Sequence, residues 1–126
     1  MAAALALQIF PHSGGAISYT TTGAGGLATT GNTTPVGDDT ALLVKNGSGA
    51  SINVWLRLAS NQTIDGVLGA QPAGAGGPAR QVVVNAGADE IIPLPTIPYA
   101  DPVTGLCTFE LSATTTISVA CITSST

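Results

Sequence analysis

The feature that most restricts this chain is the alternation across residues 40–58, TALLVKNGSGASINVWLRL. Leu42, Val44, Ile52, Val54, Leu56 and Leu58 fall on even positions, with Asn53 and Arg57 between them. A period of two belongs to β-strands with one buried face. Asn46-Gly47-Ser48-Gly49 divides the two arms and carries turn chemistry. The expectation is a β-hairpin. Pairing Val44 with Ile52 and Leu42 with Val54 points both apolar faces the same way and requires an odd-length loop. A three-residue loop with Gly49 in the left-handed conformation fits best.

Similar signals recur downstream. Residues 80–84 (RQVVV) read as a strand, Asn85-Ala86-Gly87 as a turn and 89–94 (DEIIPL) as a returning strand. Pro93 and Pro95 confine that return to an edge or end it early. Residues 106–111 and 116–123 form a last expected hairpin about Thr114, with Phe109 opposite Val119 and Cys107 opposite Cys121. Residues 15–22 and 61–68 are weaker strand candidates. Residues 23–37 and 69–78 are Gly-rich and aperiodic, and read as long loops. Loops of that length in a small domain are often functional or ordered by a partner. The chain is therefore expected to be all-β. It reads as a single-domain antiparallel β-sandwich of seven to eight short strands over residues 15–126, with an N-terminal arm over 1–14 and two long Gly-rich loops.

Composition narrows the function. Charged residues make up 8% of 126, against about 25% in ordinary soluble domains. Mean hydropathy is +0.42. Solubility normally rests on scattered surface charge. Two readings follow: much of the surface meets other protein, or the surface is neutral and rich in Thr, Ser and Asn. A net charge of −4, with Lys45, Arg57 and Arg80 the whole basic complement, argues against a phosphate track. Aromatics at 4% argue against a base-stacking platform. No apolar run reaches the ~18–20 residues of a membrane span. The opening MAAALALQIFP lacks the basic region of a secretion signal and reads as a short extended arm or edge strand.

No catalytic constellation emerges. His12, the single histidine, sits between Pro11 and Ser13 without a positioned partner. Asp38-Asp39, Asp89-Glu90 and Asp101 are spaced as solvated turn residues and match no calcium loop. The Gly-rich stretches lack the Lys and Ser/Thr of a phosphate cradle. Cys107 and Cys121 read as two reduced, buried thiols, with a disulfide as the alternative. The Asn-X-Ser/Thr matches at Asn32, Asn46 and Asn61 are ascribed to composition. Trp55 and Leu43 fall on the odd face. There Trp55 either packs under a second sheet or loop, or serves as an interface anchor. The expectation is a non-enzyme with no catalytic residue, metal or cofactor.

Four stretches carry a resemblance: VKNGSGASINV (44–54), VVVNAGADEIIPLP (82–95), YADPVTGL (99–106) and SATTTISVACI (112–122). Together they resemble small all-β minor capsid and decoration proteins of tailed bacteriophages, especially those of actinobacterial hosts. The likeness spans residues 40–122, with 69–78 as an insertion. It implies a virion structural protein on the capsid surface, made in the host cytoplasm, that docks on a major capsid protein shell. A homo-oligomer, a trimer or larger ring, is expected, with no nucleic acid and no membrane. Arms could add to neighbouring sheet edges. Phe10, Leu27, Leu43 and Trp55 are the expected interface residues. The alternative is a carbohydrate-binding or adhesin-like β-sandwich module, for which Trp55, Tyr19 and Tyr99 are the available aromatics.

Overall fold

The computed structural model describes residues 2–10, 16–22, 26–57, 79–100 and 104–124. Eight strands run in the order β1 (Leu7–Phe10), β2 (Asn32–Pro35), β3 (Thr40–Asn46), β4 (Ile52–Arg57), β5 (Ala79–Val84), β6 (Asp89–Pro93), β7 (Leu106–Leu111) and β8 (Ile117–Ser124). One helical turn, α1 (Thr96–Tyr99), joins β6 to β7. The strands form two four-stranded sheets, ordered β1-β8-β3-β6 and β2-β7-β4-β5. The expected all-β sandwich is therefore what the chain forms. The expected strand at 61–68 and the loop at 69–78 lie outside the described residues.

The expected hairpins are not hairpins. β3 pairs with β6 and β8, whereas β4 pairs with β5 and β7. The two arms of residues 40–58 thus face each other across the core instead of lying side by side. Leu42 and Val44 look inward from the first sheet, and Ile52, Val54 and Leu56 from the second; none is more than 3% exposed. The same correction applies to β5 and β6, and to β7 and β8. Phe109 and Val119, like Cys107 and Cys121, belong to opposite sheets. Alternation records which side chains are buried, each worth roughly 1.5–3 kcal/mol. A hairpin and an arch between sheets bury the same set, so parity cannot choose between them.

Turn chemistry explains why arches win. The Asn46 side chain is buried and does the work expected of a left-handed Gly49, which has no positive φ. Its Nδ2 donates to the carbonyls of Ala50 (2.8 Å), Val84 (3.0 Å) and Asn85 (3.2 Å). Its Oδ1 accepts from the Ser48 N–H at 3.0 Å and hydroxyl at 2.6 Å. The Asn46 N–H donates to the Ala88 carbonyl, and the Gly47 N–H to that of Thr116. Asn46 thus ties two inter-sheet arches together at one end of the sandwich, and its neighbour Gly47 adds the third. Thr116 holds the left-handed region at φ 56°, unfavourable for a β-branched residue, while presenting the carbonyl that Gly47 needs.

Reading outward from β4–β5, the pairs are β3–β6, β2–β7 and β1–β8. That is the double Greek-key wrap of a jelly roll, with one departure: β1 lies parallel to β8. The antiparallel position on β8 goes to Thr20, which exchanges backbone bonds with Val119 at 2.7 and 3.0 Å. β2 lies within the stretch read as a loop. Its inward residues are polar, Asn32 and Thr34, both fully buried, so no apolar alternation announces it. Asn32 is satisfied instead by accepting from the N–H groups of Ala3 (3.2 Å) and Ala28 (3.0 Å) and donating to the carbonyls of Ala28 (2.6 Å) and Phe109 (3.3 Å).

Candidate docking surface

The chemistry within the sandwich is structural. Arg57 Nε donates to Glu110 Oε1 on the outer side of the second sheet, with both side chains buried beside Trp55. An isolated buried charge is costly, so each partner depends on the other. Cys107 and Cys121 are free thiols, fully buried. Burial pushes the Cys107 thiol up to about 12, partly offset by a backbone hydrogen bond at Arg57. Burial also raises Cys121, opposed by the Thr34 side chain. Neither is set up as a nucleophile, which requires a lowered pKa and access. Among the described residues, no group of three or more His, Cys, Asp or Glu is placed to hold a metal ion, and no helix is long and apolar enough to cross a membrane. His12 lies outside the described residues.

The expected interface residues sit in unexpected places. Leu27 is 5%, Leu43 9% and Trp55 7% exposed, so their side chains are already packed within their own chain. Leu27 belongs to the central core, and Trp55 takes the covered position that the sequence left open. All three therefore pack within their own chain rather than standing out from its surface. The Trp55 indole N–H meets no acceptor among the described residues. Phe10 closes β1, paired with Ser124; its side chain lies outside the described residues. Asn32 and Asn46 are buried too, which removes them as glycosylation acceptors in the folded chain.

The structure exposes single apolar side chains on the edge strands β5 and β6, and Leu7 and Ile9 on the arm. Val83 is 47% and Ile91 68% exposed. Val83 projects from the outer face of the second sheet, since Val82 and Val84 turn inward. Ile91 projects from the outer face of the first, where it heads a row through Leu43 to Ala120 across three strands. Between the two edges runs a groove of about 240 Å³, lined by Arg80, Val82, Glu90, Ile91, Pro93 and Tyr99 among others. The Arg80 guanidinium lies 5.8 Å from the centroid of the Tyr99 ring. Burial raises the Tyr99 phenol, and Arg80 partly offsets that. This surface offers apolar contact and one polar fork. Sequence reasoning missed Val83 and Ile91 because it stopped at assigning strands. Parity would have found them: once Val82, Val84 and Ile92 are inward, the residues between them must face out.

Set beside protein-family models, curated proteins and solved structures, the chain matches none of them.

Proposed function

We propose that this chain is a virion structural protein of a tailed phage, a capsid decoration or minor capsid protein that binds the major capsid shell and stabilises it. The observation that carries the reading is the pair of exposed apolar side chains on the edge strands, Val83 and Ile91, on a chain with only 8% charged residues. A sandwich with that surface is suited to adhesion, burying apolar area and edge backbone against neighbours. The sequence resemblance points the same way. The jelly-roll wrap adds only an analogy, since that architecture hosts capsid domains and lectins alike. The carbohydrate-binding alternative has less support: sugar faces need exposed aromatics, and of the three available Trp55 and Tyr99 are 7% and 2% exposed, leaving only half-buried Tyr19.

The test is co-sedimentation of the purified chain with expanded phage heads lacking it. Ile91→Asp combined with Val83→Asp should abolish co-sedimentation while leaving the thermal melt of the free chain near that of wild type. Undiminished occupancy by a folded double variant would sink the docking role of this flank.

A further inference from the structure

The N-terminal arm is built into the fold in an unusual way. It starts on the second sheet, where the Leu5 N–H donates to the Thr33 carbonyl and the Thr33 N–H to the Ala3 carbonyl, both at 2.9 Å. It then crosses to the first sheet and runs parallel to β8, from Leu7 beside Cys121 to Phe10 beside Ser124. Ala3 and Leu5 fill the core, at 3% and 9% exposure. The Gln8 amide grips the backbone of Ser18, donating to its carbonyl at 2.7 Å and accepting from its N–H at 2.9 Å. One short segment thus covers a free edge of each sheet.

We propose that residues 2–10 are an exchangeable strand, which occupies on a second copy of this chain the same seat between β2 and β8 that it occupies on its own body. Three observations carry this. First, every partner of the arm named above lies on the body, so an identical arm from another copy makes identical bonds. Second, β8 is shared between two segments running in opposite directions, the arm and Thr20. The five residues between Phe10 and Ala16, PHSGG, would span roughly 20 Å if extended. Third, the arm carries Leu7 and Ile9 at 44% and 66% exposure. Its own body leaves them uncovered, whereas two bodies brought flank to flank would cover them. Strand exchange makes dimers at little cost because the native contacts are reused. Where copies are crowded, the high local concentration favours it. The inference does not depend on the capsid reading, since it concerns only two copies of this chain.

The native Cys121 provides the test. It is the register partner of Leu7. Neighbouring strands lie about 4.8 Å apart, within the ~4.4–6.8 Å that a disulfide spans. One full-length chain carries Leu7→Cys with Cys121→Ala; the other is wild type with a longer tag. The two are co-expressed, purified, oxidised and run without reductant. The expected result is a covalent heterodimer as the main cross-linked product, with peptide mapping placing the bridge between position 7 and Cys121. A folded pair that yields no heterodimer at any concentration overturns the proposal. So does a single chain carrying only Leu7→Cys that always bridges within itself and runs at monomer mass. Should Cys121→Ala fail to fold, isotope-filtered NOEs between labelled and unlabelled wild-type chains decide the matter. Contacts from Leu5 to Thr33 between chains support exchange, and purely intrachain contacts refute it.

Discussion

The two flanks of the sandwich solve the same problem in opposite ways. Sheet edges present unpaired backbone that invites pairing with other chains. On the β2–β8 flank the edges are covered by the arm, which contributes core side chains, a strand and the Gln8 clamp. On the β5–β6 flank the edges are discouraged rather than covered: Pro93 and Pro95 spoil one of them, and Arg80 and Glu90 flank the groove. The first flank sends Ala3 and Leu5 into the interior while leaving Leu7 and Ile9 exposed. The second is a surface, and its exposed Val83 and Ile91 do nothing for the isolated fold. What a residue contributes here depends on its flank more than on its hydrophobicity.

That contrast is sharpest for a charge placed on each side. Leu5→Asp puts a carboxylate into the core and should cost more than about 4 kcal/mol, enough to lose the cooperative melt. Ile91→Asp should change stability by no more than about 0.5 kcal/mol. Equal effects in urea unfolding would erase the distinction. Next, Asn32→Ala removes four hydrogen bonds at the arm's seat and should cost about 2–3 kcal/mol, whereas Glu90→Ala on the other flank should cost almost nothing. Raising the pH probes the β2–β8 side through Cys107. Its folded pKa is raised to about 12, so above pH ~9 the unfolded chain loses a proton that the folded chain keeps. The stabilisation is complete below that point and falls as pH climbs towards 12, by up to about 1.4 kcal/mol per unit. Cys107→Ala should flatten this slope in pH-dependent unfolding. On the arm's side the smallest effect is Gln8→Ala, about 1 kcal/mol, seen as faster amide exchange at Ser18.

How much of this was legible beforehand follows from what alternation encodes. The β3–β4 stretch disclosed its buried face correctly, because burial has a period of two. It concealed that its strands face each other, because the partner of a strand is set by arches whose key is a buried Asn46. The turn at Asn85-Ala86-Gly87 was readable: Gly87 holds φ 73°, and the Ala88 N–H closes on the Asn85 carbonyl. β2 was unreadable because its inward residues are Asn32 and Thr34. For the candidate surface, composition gave the motive, a shortage of charge, but no position. Trp55 and Leu43 are odd-numbered and outward by parity, yet they are only 7% and 9% exposed. Val83 and Ile91 are outward by the same parity, on strands at the rim.

The most direct test is native-state hydrogen exchange at the amides of Leu5 and Thr33, which bond arm to body. If the arm closes the sandwich, both exchange only with global unfolding, at the same free energy as the β3 amides. If both exchange far faster while β3 stays protected, the arm is an appendage and the contrast between the two flanks fails.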